Sequence, residues 1–221
     1  MGSKKVAAFF DFDKTLVEVE SGRMAFMWMW NQRMILPGYM LKVLAARILN
    51  KLNVLSEERL IEIMLTFYRG RKLETFRQGS EQFYQEYLKP HLAPVIIQRV
   101  NFHRKEGHFL VLVSASIRYL LEPVVADLGF DLLLCTDLEE GESGVLTGRP
   151  KGPVCIEENK RTITLKIAGE YGLDLENSYA YGDSKADLPL LDLVGHPHVV
   201  EPSNALAKVA ATRGWTVLTH R

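Results

Sequence analysis

The sequence predicts an α/β protein: a parallel sheet with helices on both faces, interrupted after its first strand by a wholly helical segment. Three observations predict it. Short, nearly continuous apolar runs recur, each ending in small or acidic residues: Val6 to Phe10 before Asp11, His108 to Val113 before Ser114, and Ser178 to Tyr181 before Gly182 and Asp183. Runs this short suit strands buried on both faces. From residue 92 onward helical patterns separate the strands, and that alternation specifies a parallel sheet. Between residues 19 and 91 apolar helices follow one another with no strand pattern among them. The expected units are an α/β core of residues 1–18 and 92–221 and an all-helical unit of residues 19–91.

The elements follow in order. After the first strand, Arg23 to Leu36 is apolar on nearly every side, through Met24, Phe26, Met27, Trp28 and Trp30. Such a stripe serves as the helical unit's own core, as a pocket lining, or as a contact with a bilayer. Pro37-Gly38 breaks it, and Tyr39 to Leu52 forms a second apolar helix. Arg23, Arg33, Lys42 and Arg47 interrupt the apolar residues, so no run reaches the ~20 residues a membrane span needs. Ser56, followed by Glu57 and Glu58, is an N-cap with acids in the first turn, opening a helix to Tyr68. A fourth helix runs from Leu73 to Leu88. Pro94 and Gly107 frame the next one. Beyond the second strand come a helix from Ile117 to Leu128, a strand from Leu132 to Thr136 and a short hairpin around Val145. A helix from Lys160 to Tyr171, the strand entering Asp183, a strand at His198 to Val200, a helix from Asn204 to Arg213 and a strand at Thr216 to Leu218 complete the alternation.

Composition excludes several classes. With 47% hydrophobic and 24% charged residues the 221-residue chain has material for a substantial core. Lys plus Arg and Asp plus Glu number 27 each, so no overall field recruits nucleic acid. Cys135 and Cys155 are in no metal-ligand spacing and read as reduced thiols. Met-Gly-Ser-Lys-Lys runs directly into the first strand, which leaves no room for a signal peptide. The expectation is a cytoplasmic protein. The histidines form no pattern.

In an extended chain Asp11 and Asp13 point to one side. Two carboxylates at the end of a central parallel strand lie where open α/β sheets bind ligands. So close together they repel unless a cation lies between them or one holds a proton. A bare Asp-x-Asp is equally a solvated turn, and what shifts the balance is the rest of the chain. Ser114 and the pair Asp183 and Asp187 end strands on the same edge, and Lys160 precedes the last of these. Carboxylates without histidine or cysteine make a hard oxygen site suited to Mg²⁺. Carboxylates, Mg²⁺, a hydroxyl and a lysine together are the parts for phosphoryl transfer.

Asp11-Phe-Asp-Lys-Thr15, Ser114, Lys160 and Gly182-Asp-Ser-Lys-Ala-Asp187 resemble, in order and over nearly the whole chain, the four motifs of the haloacid dehalogenase superfamily. The resemblance is to its phosphoserine-phosphatase-like branch, which has a Rossmann-like core and a helical cap inserted after the first motif. It implies a Mg²⁺-dependent phosphomonoester hydrolase. In it Asp11 is the nucleophile and a metal ligand, and Asp13 is the general acid/base whose backbone carbonyl also contacts the metal. Thr15 donates a hydrogen bond, Ser114 binds the phosphoryl oxygens, Lys160 neutralises Asp11 and phosphate, Asp183 ligates the metal and Asp187 supports its site. Glu20 stands where phosphoserine phosphatases carry a glutamate that reads the substrate amine; it is equally placed as a surface residue before a helix.

Two departures keep the substrate open. The arginine motif that clamps the substrate carboxylate is missing, with Phe76-Arg77-Gln-Gly-Ser a poor imitation, and Ala186 replaces the fourth motif's asparagine. The partner is a small phosphomonoester with an amine or, alternatively, a more apolar or lipid phosphate. A rival of another class is a phospho-aspartate receiver module, which likewise uses an α/β sheet, acids and a lysine. The long helical unit and the acid/base at Asp13 weigh against it.

Overall fold

The structure, a computed structural model, describes residues 4–220. Its centre is β1, Ala7–Asp11, buried at every residue. It pairs in parallel with β2, Phe109–Ile117, on one side and β6, Tyr179–Gly182, on the other. With β3 (Leu132–Thr136), β7 (His196–Val200) and β8 (Thr216–Leu218) they form a six-stranded sheet in the order β3-β2-β1-β6-β7-β8. Successive strands add on one side of β1 as far as β3 and on the other from β6 onward. That reversal leaves a crevice beyond the carboxyl ends of β1 and its neighbours.

The period-two alternation of β1 decides what covers each face. Ala8 and Phe10 pack with α5 (Pro94–Lys105), α6 (Arg118–Leu128) and the helical segment before them. Ala7 and Phe9 pack with α7 (Glu158–Tyr171), α8 (Leu188–Leu191) and α9 (Asn204–Arg213). The helical segment between β1 and β2 contains α1 (Ser21–Asn31), α2 (Pro37–Lys51), α3 (Glu57–Leu65) and α4 (Glu74–Phe83). It leaves and rejoins the sheet side by side: the Glu18 amide donates to the His91 carbonyl at 2.9 Å and the Ala93 amide to the Leu16 carbonyl at 3.0 Å. A two-stranded hairpin, β4 (Leu138–Glu140) with β5 (Leu146–Pro150), backs it through bonds between Leu146 and both Gly70 and Arg71.

Several helix ends differ from the sequence-based expectation. Ser56 caps α3 through Arg59, but the last residues to Tyr68 tighten into a 3₁₀ turn. The fourth helix widens into a π-turn at Tyr84–Leu88. The first stops at Asn31 rather than Leu36, because Arg33 turns left-handed (φ 57°) and the Met34 amide bonds back to Met29. The apolar stripe on α1 divides accordingly. Met24 and Trp28 pack on the core, Phe26 faces the crevice, and Met27 and Trp30 are exposed.

The histidines are not scattered. His103, His108, His196 and His198 gather round Tyr179 and Tyr181, with His103 and His196 each 4.6 Å from the Tyr179 ring and His198 stacked on Tyr181 at 4.8 Å. Buried His103 joins Tyr181 Oη through Nε2 and His108 Nδ1 through Nδ1, both at 2.8 Å. Burial, then the neighbouring imidazole of His108, pushes its pKa down to about 4. The folded state therefore binds fewer protons than the unfolded chain, and protonation favours unfolding. The contribution of His103 to stability is expected to be full above about pH 6.5 and to be lost towards pH 4, by at most about 1.4 kcal/mol per pH unit. Urea midpoints across that window test it. His103→Gln flattens the slope, and an unchanged slope contradicts the assignment.

Candidate active site

The turn after β1 sets the site. The Phe12 carbonyl accepts the amides of Thr15, Leu16 and Val17 at 3.3, 2.9 and 3.0 Å, so the chain reverses at once, with Lys14 left-handed at φ 58°. Phe12 and Leu16 anchor the turn in the core. Asp11 and Asp13 consequently line one cavity but meet different partners. Asp11 Oδ1 accepts from Lys160 Nζ at 2.6 Å. Asp13 accepts the Ser21 amide through Oδ1 and the Ser116 hydroxyl at 3.1 Å through Oδ2, and Ser21 and Ser116 share a hydroxyl contact of 2.7 Å. Helix α1 lacks a cap from its own N-cap residue, and Asp13 occupies that donor-rich end instead.

Lys160, buried at 3% exposure on α7, also donates to Asp187 Oδ1 at 2.6 Å. Asp187 Oδ2 accepts from both the amide (3.1 Å) and hydroxyl (3.0 Å) of Ser184, a reciprocal capping box. Gly182 permits this fold of the loop, since a Cβ there would lie 2.6 Å from that of Asp187. Ligand oxygens of Asp11, Asp183 and Asp187 fall within 4.8 Å of one another.

One ammonium, that of Lys160, bonds two of these three carboxylates, Asp11 and Asp187. Burial and then Asp187 hold Asp11 well above the ordinary carboxylate range against the pull of Lys160. The same two causes push Asp183 up to about 7. Burial opposes the charge on Lys160, but Asp11 and Asp187 outweigh it and raise its pKa. An all-oxygen cluster with surplus negative charge fits a hard divalent cation such as Mg²⁺. Lys160→Met leaves buried carboxylates without their partner, and its expected cost in EDTA is about 3–5 kcal/mol. A urea midpoint equal to wild type would contradict this.

The remaining residues divide. Ser114 is buried, and its Oγ accepts the Ser116 amide at 3.0 Å; neither serine caps α6, whose N-cap is Ile117. Thr15 is fully buried, and its hydroxyl has no partner among the described residues. Glu20 lines the cavity and accepts from Lys14 through Oε1 at 2.5 Å; that bond is the main cause of its lowered pKa. Arg77 is turned away to Glu122 at 3.3 Å. The cavity holds about 520 Å³, floored by the aspartates and walled by Phe26, Met29, Tyr39, Leu60 and Met64. Arg23 and Arg47 also line it, and with Ser116 they are residues that the sequence did not assign to the site. Only Ser116 had a signal, two residues beyond Ser114 on the same strand face.

Such a set at the switch point of a parallel sheet is equipped for phosphoryl transfer. The model of the haloacid dehalogenase-like hydrolases matches residues 8–192, and the chain belongs to that family. It is similar over 98% of its length, at 29% identity, to the whole of a histidinol-phosphatase from Neisseria meningitidis. It is also 29% identical, over 97% of its length and 71% of the relative, to phosphoserine phosphatase SerB1 of Mycobacterium tuberculosis. A crystal structure from Bordetella pertussis, of a protein of unknown function, superposes with a TM-score of 0.90 at 26% identity, covering 99% of this chain and 100% of the other. Within its family the chain is a phosphatase.

Proposed function

We propose that the protein is a Mg²⁺-dependent phosphomonoester hydrolase that works through an aspartyl-phosphate on Asp11. The observation that carries this is the separation of roles between the two aspartates. Asp11 is tied to Lys160 in the charged cluster, while Asp13 is held apart by Ser21 and Ser116. Asp11 attacks phosphorus as the carboxylate, with Lys160 beside it offsetting charge on the transferring group. Asp13 keeps a raised pKa, mainly through burial, which suits a group that first gives a proton to the leaving alcohol and then takes one from water. Ser114 uses its oxygen as acceptor and retains its own proton to donate to a phosphoryl oxygen. Asp11 and Asp183 would hold Mg²⁺, with the Asp13 carbonyl contributing and Asp187 steadying the site, and the ion would supply charge neutralisation. Residues 19–91 act as a cap over the core of 1–18 and 92–221, since they supply the apolar wall above the aspartates.

The substrate class is a small phosphomonoester bearing an amine. Glu20 Oε2 accepts no hydrogen bond among the described residues and is the acceptor such a group would meet. The histidinol-phosphatase likeness over the full chain supports this. A second reading, a more apolar phosphate, is favoured by the wall of Phe26, Met29 and Leu60. Phosphate release from a panel of phosphomonoesters decides between them. Activity is expected with Mg²⁺ and not in EDTA. Glu20→Gln is expected to lower kcat/KM on amine-bearing phosphates by roughly 10- to 150-fold, the worth of one charge-assisted hydrogen bond. Full turnover in EDTA contradicts the metal site. A silent Glu20→Gln assigns the pocket to the apolar class.

A further inference from the structure

Helix α2 is inverted relative to an ordinary surface helix. Its protein-facing side is narrow, Val43 and Ala46 with Tyr39, Met40 and Asn50 partly covered. The opposite side is apolar and open to solvent: Leu41 is 67% exposed, Leu44 55%, Ile48 53% and Leu52 65%. At 3.6 residues per turn these four fall on one stripe, with Leu49 at its edge. Lys42 stands on one flank of the stripe and Arg47 and Lys51 on the other. A monomeric soluble surface rarely carries so continuous an apolar stripe without a partner.

Charge says which partner. The chain as a whole is neutral, yet from Ser21 to Ser56 it carries Arg23, Arg33, Lys42, Arg47 and Lys51 and no acidic residue. An apolar stripe edged by cations on a helix too short to span a bilayer is the pattern of a helix lying in a lipid–water interface. Leucines enter the acyl boundary there, and the flanking cations meet anionic headgroups. A two-fold contact between copies would set these same cations against each other, with no acid on α2 to answer them. We propose that the α2 face docks the protein on an anionic lipid surface. Arg47, at the edge of the stripe, also lines the active-site cavity. Docking therefore sets the cavity beside the bilayer, whatever phosphate it takes.

The test is flotation of the full chain with vesicles of phosphatidylcholine alone and of phosphatidylcholine with phosphatidylglycerol. Binding is expected only to the anionic vesicles and is released by salt. The triple substitution Leu41→Gln, Leu44→Gln, Ile48→Gln is expected to weaken it at least about tenfold, since each side chain contributes apolar burial. Lys51→Glu weakens it about fivefold or more by charge alone. Both variants keep the wild-type melting curve and hydrolyse a soluble aryl phosphate as wild type does, because none of these residues lines the cavity. Absence of wild-type binding to either vesicle overturns the proposal. So does undiminished binding by the triple variant. A wild-type dimer that the triple substitution converts to monomer, without vesicle binding, overturns it in favour of a contact between copies.

Discussion

Asp11→Asn is expected to abolish turnover, by at least about 10⁴-fold in kcat, while leaving the protein folded. The amide has no nucleophilic oxygen to form the acyl phosphate and is a poor ligand for a hard cation. The fold gives it room, because the two side chains have the same shape and Lys160 still finds Asp187 at 2.6 Å. Removing one of three clustered carboxylates also relieves repulsion that burial makes costly, so the metal-free variant should be no less stable than wild type. Phosphate release and urea midpoints measured on the same preparation check both halves. Wild-type turnover in Asp11→Asn would remove the nucleophile from the account. Loss of activity with loss of the fold would mean that its role is structural.

Asp13→Asn should behave differently. The amide oxygen still accepts the Ser21 amide, and the Ser116 hydroxyl, now facing an NH₂ group, rotates to accept from it. Geometry survives, but no group protonates the leaving alcohol or activates the second water. Turnover falls by about 10²–10⁴-fold, the usual worth of a general acid/base. Because the second step depends on Asp13, the carboxylate held apart from the Lys160 cluster, to activate water, phosphoenzyme accumulates. Acid-quenched samples should carry phosphate on much of the variant and on little of the wild type. Equal steady-state rates, or a slow variant that never holds phosphate, would contradict the assignment.

The parallel strands were legible because burial on both faces leaves no polar alternation, and runs such as Ala7 to Phe10 have few other uses. Asp11 and Asp183 were legible because each follows an apolar run that ends in polar residues, and Lys160 because it falls between them in the order of the motifs the chain resembles. Helix limits in the inserted segment were not. The end of α1 depends on Arg33 adopting a left-handed turn, and the π-turn at Tyr84–Leu88 follows from packing that local propensity does not encode. The histidine cluster was invisible for a different reason. Helix α5, the start of β2, β6 and β7 are brought together only by the strand order, which places residues 103 and 108 against 179, 196 and 198. The same is true of Arg23 and Arg47, which become cavity residues through the fold of α1 and α2 over the sheet edge.

The proposed mechanism turns on a covalent bond between phosphorus and Asp11. Sodium borohydride reduces an acyl phosphate to an alcohol and leaves free carboxylates untouched. The most direct test is therefore to quench the enzyme during turnover of a phosphomonoester, reduce it and map the peptides. The expected result is homoserine at position 11, absent without substrate and enriched in Asp13→Asn. Phosphate release with aspartate intact at position 11, or homoserine at another position, would contradict it.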